Sequence, residues 1–353
     1  MKVSHEVPLC LLEDSKNFNS YDYALVHLLD SNEEYAEYFL KSKEEGRHII
    51  LDNSLHELGE SYGDEGLLHW VNKLKPQEFI IPDVWCDRDA SIRNAVKWAA
   101  IELPKGVEKV AVVQATTIHE ASTCYKIYKE LGYKKIAFSY GADYYNDVVP
   151  HPNKDIGKAL GRLSVISALL ETKIISQSDR IHLLGCASPF EFSLYKGIEC
   201  IESIDTSNPI MMALEGKIYN SSLNVDKPTA NMNNYFNVGK NDINLDLVLY
   251  NVNKFKEFLT IQKPNPKNNQ MEKTQIKAQI KTNMISLYDY QGHSDQNGTG
   301  LKVNAYAQLK KQPYKQRDLE LPNYTGKVFL YTKEFLDEFF EIQKIFKDEK
   351  LPF

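Results

Sequence analysis

The stretch RHIILD, residues 47–52, holds an Ile-Ile-Leu run that stops on a carboxylate, Asp52. The same figure returns along the chain. EFIIPD ends at Asp83, KVAVVQ at Gln114, KKIAFSYG at Gly141, RIHLLG at Gly185 and CIESID at Asp205. Each run is short, rich in Ile and Val, and followed by a stretch with helical character. Strands that alternate with helices of this length require a parallel sheet, because every crossover must return over one face. An open doubly wound sheet would show a Gly-rich phosphate turn after its first strand, and none is evident. The expected fold is therefore α/β, a (β/α)8 TIM-like barrel, whose active site gathers at the C-terminal ends of the strands.

Working outward, an early strand is expected at EVPLCLL (6–12) and another at ALVHLL (24–29). Further strands are expected at 47–52, 78–83, 109–114, 134–140, 180–185 and 198–205. Helices are expected after Asn32 with Gly46 as the stop, then near 64–74, 88–102, 118–131 closed by Gly132, 155–172, from Pro189, and at 245–259. GADYYNDVVPHPNKD (141–155) is a long loop, and loops of that length are often functional. The Asn-rich segment 220–241 is expected to cross the barrel mouth or its rim. Residues 1–262 form the barrel domain, KPNPKNNQ (263–270) a linker, and 271–353 a small C-terminal α/β appendage with a strand at 327–331 and a helix at 332–346.

Composition fits an ordinary soluble protein, at 42% hydrophobic and 25% charged residues. No apolar run reaches the roughly 18 residues that span a bilayer, so no membrane association is expected. The N-terminal apolar patch is brief and followed by acids, which argues against a secretory signal. The five cysteines, Cys10, Cys86, Cys124, Cys186 and Cys200, form no C-x-x-C pair and suit reduced thiols in a cytoplasmic compartment. Net charge is −6, so a nucleic-acid partner would have to use local basic strips. Lys263–Lys281 and Leu309–Arg317 are two such strips, and each is equally a solvated linker or turn.

The strand ends carry chemistry. Asp52 and Asp205 would face one mouth, where two carboxylates can share glycosyl transfer. One attacks the anomeric carbon and the other moves protons on the leaving and entering groups. The bland alternative is that Asp52 caps the LDNS turn and Asp205 caps the helix beginning at Ser207. Asp83, Gln114 and Gly141 suit a purine reader. A carboxylate accepts the N1–H and 2-amino group of guanine, an amide donates to O6, and a glycine lets backbone approach closely. Such a site rejects adenine, because mismatched polar groups would be left unpaired.

The ordered motifs LDNSLHELGE, IPDVWCD, VVQATT, FSYGAD, HLLGCASP and SIDTSNP resemble the tRNA-guanine transglycosylase superfamily, and most closely its DpdA-type DNA-guanine transglycosylases. The likeness spans roughly residues 20–215. It implies a general acid/base at Asp52, a base-reading acid at Asp83, an amide reader at Gln114, backbone contacts around Ser139 and Gly141, a pocket wall at Leu184 and Gly185, and a nucleophile at Asp205. It further implies a DNA partner with a flipped or single-stranded guanine, a free 7-deazaguanine base, no cofactor and no catalytic metal. A phage-encoded enzyme acting in the bacterial cytoplasm is the corresponding setting, with a homodimer or a partner modification enzyme left open.

Departures from the superfamily pattern are informative. Asn53, Ser54, Leu55 and His56 replace the Ser-Gly-Gly-aromatic stretch of the tRNA enzymes, so His56 stands where a base-stacking ring is expected. Ala115 and Thr116 follow Gln114 in place of two glycines. The tRNA enzymes' Cys-x-Cys-x-x-Cys…His zinc motif is not encoded, since no cysteine follows Cys200. That favours the DNA branch. The rival readings are a tRNA-guanine transglycosylase without the zinc module, a β/α-barrel glycoside hydrolase, and a non-catalytic nucleic-acid-binding barrel. Sugar sites usually carry several Trp platforms. This chain has three Trp, of which only Trp85 lies near an expected strand end.

Overall fold

The computed structural model describes residues 1–186, 189–195, 197–219 and 232–260. The expected linker, the tail strand and helix, and both basic strips lie outside the described residues.

In chain order the elements are β1 (Lys2–Ser4), α1 (Leu12–Ser15), β2 (Asp22–Leu25), α2 (Val26–Ser31), α3 (Glu33–Glu44), β3 (Ile49–Asp52), α4 (Leu55–Leu58), α5 (Asp64–Leu74) and β4 (Glu78–Ile80). Then come α6 (Arg88–Ala99), β5 (Glu108–Val113), α7 (Ile118–Glu130), β6 (Lys135–Ser139), α8 (Tyr144–Val148), α9 (Lys154–Glu171), β7 (Arg180–Leu184), α10 (Phe190–Leu194), β8 (Ile201–Asp205), α11 (Asn208–Leu214) and α12 (Leu245–Thr260). The eight strands form one sheet in the order β1-β8-β7-β6-β5-β4-β3-β2, every paired neighbour parallel. This is a nearly closed (β/α)8 barrel, as the repeat predicts. The seam between β1 and β2 is bridged by the loop before β2. Ser20 N–H donates to the Val3 carbonyl at 2.8 Å, and Asn19 exchanges bonds with the His5 backbone at 2.8 and 2.9 Å.

The helices follow their sequence signals. Asn32 accepts from Tyr35 N–H and starts α3, while Thr117 accepts from Glu120 N–H and starts α7. In α5, Leu67, Trp70, Val71 and Leu74 recur at helical spacing and are all buried. Two compact units are distinguished along the chain. One comprises Met1–Ala142 and Ser176–Thr260 and contains the barrel strands; within the other, Asp143–Ile175 contains α8 and α9. In this second unit Asn153 caps α9, and a side chain at Gly161 would strike the Tyr145 carbonyl.

The two N-terminal strand expectations need correction. The first strand is Lys2–Ser4, and EVPLCLL instead leads through a 3-10 turn at Leu9–Leu11 into α1. Pro8 explains this. It offers no ladder N–H and sits at the start of that turn. ALVHLL is split, with the strand ending at Leu25 and α2 beginning at Val26. An unbroken apolar run does not distinguish a buried strand from a buried helix. The true start of β2 is hidden behind Asp22, whose buried carboxylate is clamped by Arg47 at 2.6–2.9 Å. The expected 141–155 loop contains the short helix α8.

The barrel interior is layered. Tyr21, Tyr23, Leu25, Ile50, Ile80, Val110, Val112 and Ala137 form a buried apolar middle. Below it, at the N-terminal ends of the strands, lies a charged plug. Lys135 Nζ meets Glu78 at 2.6 Å, both residues 1% exposed, and Arg180 reaches Glu78, Glu108 and Glu202. Burial pushes the Glu78 carboxyl up, but a hydrogen bond from His48 and the charge and hydrogen bond of Lys135 outweigh it and hold Glu78 far below the usual carboxylate range. The opposite end of the strands is left for the site.

Candidate active site

A cavity of about 270 Å³ opens at the C-terminal ends of the strands. Asp52, Asp83, Gln114, Ser139, Leu184, Gly185, Asp205 and His56 all line it. Of the residues singled out from the sequence, only Gly141 is not part of its wall.

Asp52 is the last residue of β3. Its Oδ1 accepts from the Tyr23 hydroxyl at 3.0 Å and its Oδ2 from Ser54 N–H at 2.8 Å. The turn-capping role is thus real, yet the buried carboxyl still faces the cavity. Burial pushes its pKa well above the ordinary value, and the charges of Glu57 and Asp205 add to this. The Ser54 and Tyr23 bonds oppose the shift. A carboxyl group pushed up in this way is suited to proton transfer.

Asp205 is the last residue of β8, and its inward aim depends on an irregularity. The register steps from Ile181↔Ile201 to His182↔Ser203, skipping Glu202. Glu202 therefore reaches Arg180 in the plug, while Ser203 bonds His182 and Asp205 faces the cavity. Strict alternation from Glu202 would send Asp205 to the outer face, so the bulge resets the parity. Asp205 Oδ1 accepts from His182 Nε2 at 3.0 Å, with Gly185 N–H at 3.3–3.4 Å from both oxygens. It makes no cap on α11.

Asp83 follows β4 and is held by two amides. Asn53 Nδ2 donates to Oδ1 at 2.7 Å, and Gln114 Nε2 donates to Oδ2 at 2.7 Å. The Gln114 orientation is fixed from behind, because its Oε1 accepts from Cys86 N–H at 3.0 Å. Asn53 is likewise fixed by the Leu55 N–H and the Ile81 carbonyl. Burial pushes the Asp83 carboxyl up to about 6, against the two amide bonds. Ser54 and Cys86, whose N–H groups make two of these contacts, both have left-handed backbone (φ 61° and 55°). Strain of that kind costs on the order of 1–3 kcal/mol per residue and persists where surrounding contacts demand it.

The rim is aromatic. Exposed His56 stacks on Trp85 with ring centroids 6.0 Å apart and lies 6.1 Å from the Tyr140 ring. Gly141 and Gly185 make this packing possible. A side chain at Gly141 would collide with the Trp85 ring and one at Gly185 with the Tyr140 ring, and Gly185 also has φ of 65°. Gly141 N–H bonds Ser139 Oγ at 3.1 Å.

Several site residues were not anticipated from the sequence. Glu6, which continues the inward alternation of Lys2 and Ser4 beyond β1, and Glu57 in α4 both line the cavity. Burial followed by the charges of Glu57, Asp205 and Asp52 pushes Glu6 well above the carboxylate range, while burial and Asp205 push Glu57 up to about 7. Glu57 Oε2 is buried with no hydrogen-bond partner among the described residues. Met232 and Asn233, from the segment expected at the rim, also line the cavity. Five carboxyl groups surround it, and no Lys or Arg is among its described lining residues. Positive charge that develops inside is favoured, and a phosphate is kept outside.

Comparison with protein-family models finds no match for this chain, and comparison with curated proteins finds none. Among the described residues, no group of three or more His, Cys, Asp or Glu side chains is placed to hold a metal ion, and no helix is long and apolar enough to cross a membrane.

Proposed function

We propose that this chain is a DNA-guanine transglycosylase, which exchanges a guanine in DNA for a free 7-deazaguanine base. One observation supports this above others. A proton-retaining Asp52 and Asp205 share one guanine-scale cavity with Asp83, whose two oxygens are each aligned by an amide. Each Asp83 oxygen keeps a lone pair for the N1–H and 2-amino group of guanine, and Gln114 has a second amide hydrogen for O6.

In the first half-reaction an Asp205 oxygen bonds to C1′ as the C1′–N9 bond breaks through an oxocarbenium-like state. The departing guanine takes the Asp52 proton and leaves neutral, so a glycosyl ester remains. A 7-deazaguanine then enters the same reader. Its N9 proton passes to Asp52, N9 bonds to C1′, and the C1′–O bond breaks to restore the Asp205 carboxylate. Ping-pong kinetics follow. The Asp205 carboxylate meets the positive charge that develops on the sugar carbon, and deoxyribose lacks the 2′-hydroxyl that would withdraw electrons from it. The target base must leave the duplex stack, which costs a few kcal/mol.

The DNA branch is preferred to the tRNA branch because the ordered motifs resemble it most closely. The test is mass spectrometry of nucleosides from DNA and tRNA incubated in parallel with the protein and a 7-deazaguanine base. Incorporation into deoxynucleosides supports the reading. Incorporation into tRNA alone replaces it with the tRNA activity, and incorporation into neither rejects base exchange.

The reader should leave its mark on the pH profile. Only ionised Asp83 presents two acceptors; protonated, it sets a donor against a donor. With its carboxyl pushed up to about 6, kcat/KM for guanine should show an acid limb that falls about tenfold per unit below pH 6, while the alkaline limb belongs to Asp52, which must hold its proton. Asp83→Ala should remove the acid limb and the discrimination against adenine together. Steady-state guanine and adenine incorporation from pH 5 to 8 measures both.

A further inference from the structure

His182 lies in the middle of β7, fully buried, between the two catalytic carboxylates. Its Nδ1 is 2.9 Å from Ser203 Oγ and its Nε2 3.0 Å from Asp205 Oδ1. Its ring stacks on Tyr23, with centroids 6.0 Å apart and planes 24° apart, and Tyr23 in turn donates to Asp52. Each catalytic carboxyl group is therefore tied to one aromatic side chain, and the two aromatics are tied to each other.

We infer that His182 is the positioning residue of the nucleophile, held as the neutral Nε2–H tautomer by the Asp205 carboxylate and donating to Asp205 Oδ1 in both half-reactions, with Ser203 bonding the bare Nδ1. The inference rests on the base-exchange reading for its kinetic consequence, but its tautomer does not. An ionised carboxylate only accepts, so Nε2 must bear the proton, and bare Nδ1 then accepts from the Ser203 hydroxyl. Burial keeps the ring from charging, since it lowers the imidazole pKa more than the Asp205 contacts raise it. A neutral donor orients the carboxylate without cancelling its charge, as an imidazolium would.

The donor acts unequally on the two steps. When Asp205 attacks C1′ its charge disappears and the His182 bond weakens, so losing His182 costs orientation but leaves a less restrained nucleophile. When the ester breaks, the charge returns to Asp205, and the donor both orients it and stabilises it as leaving group. Losing His182 should therefore slow ester breakdown more than ester formation. The expected signature is an accumulated covalent DNA adduct.

The experiment has two arms on the full chain. In the first, ¹⁵N NMR of histidine-labelled protein should show His182 as neutral Nε2–H between pH 6 and 8, and Asp205→Asn, whose amide can also donate to Nε2, should admit the Nδ1–H form. In the second, His182→Phe should lower turnover roughly 10- to 100-fold, the worth of a hydrogen bond to a charged group, while the trapped adduct per turnover rises. His182→Gln, which places an amide donor near the Nε2 position, should recover most of the turnover and return the adduct to its low level. An Nδ1–H tautomer or an imidazolium in the wild type overturns the inference. So does a His182→Phe enzyme that turns over like wild type, or equal losses of turnover and adduct in the Phe and Gln variants. Absence of exchange by the wild type would reject the base-exchange reading instead, and the tautomer arm would still judge the tether.

Discussion

Asp205→Asn is expected to abolish base exchange, with a loss of roughly 10⁴-fold or more, and to leave no covalent adduct on DNA. The substitution is close to isosteric. The Asn oxygen can still accept from His182 Nε2, so the fold at the end of β8 and the bulge that aims it should survive. What disappears is the charge. An amide oxygen is too weak a nucleophile to displace a purine from C1′, and it leaves the oxocarbenium-like state without its nearest counter-charge. A second readout does not depend on the reaction. The Asp205 charge helps to push up both Asp52 and Glu57, so in Asp205→Asn both carboxyl groups should titrate lower, Glu57 falling from about 7 toward the ordinary range. Carboxyl ¹³C shifts followed with pH would measure this. An Asn variant that exchanges base at near wild-type rate would move the nucleophile elsewhere, with Glu6 and Glu57 the cavity carboxyl groups to which the mechanism gives no role.

The barrel was legible because six of the eight strands, β3 to β8, fall in short apolar runs, each followed by a helix. Asp52 and Asp205 could be picked out because each is the final residue of its strand. Asp83 and Gln114 were legible for a related reason, since each lies within a few residues of a strand end. The rest was hidden for identifiable reasons. Glu6 follows a three-residue strand, and the neighbouring apolar EVPLCLL draws the eye away from it. Glu57 sits in LHEL, which has the pattern of a solvated helical turn. His182 had a usable signal, because Arg180, His182 and Leu184 alternate on one face of β7, and a polar residue in mid-strand at an inward position needs partners. The inward aim of Asp205 had none. It depends on a register shift opposite His182, and parity across a bulge is set by the pairing of two strands. Gly141 is expected to let the backbone approach a base, and the space a Cβ would fill there is taken by the Trp85 ring. Both uses need the missing Cβ, and the sequence does not say which neighbour occupies the space.

The plug at the other end of the barrel should govern stability. Lys135→Met removes the buried cation that meets Glu78 at 2.6 Å and Glu202 at 3.7 Å. Arg180 remains on Glu78, so the expected cost is about 3 kcal/mol, the lower end for a broken buried pair. At about 2–4 °C per kcal/mol, Tm at neutral pH should fall by roughly 6–12 °C. The pH dependence gives the sign. In the wild type, Glu78 has its folded pKa depressed, so it contributes stability above its unfolded pKa, and that contribution is lost as pH falls toward the folded value. Without Lys135 the Glu78 carboxyl rises. Its stabilising contribution shrinks, and the penalty is greatest where the carboxylate is ionised. The gap between wild type and Lys135→Met should therefore be widest near neutral pH and narrow as pH falls below about 4.5. Adding Glu78→Leu should recover more than half of the loss, because most of it comes from a buried charge without its partner, while Arg180 keeps Glu108 and Glu202. Thermal unfolding of the three proteins from pH 2.5 to 7.5 decides the matter. A Lys135→Met gap that stays constant with pH would show that its stem packing, and not its charge, supports this end of the barrel.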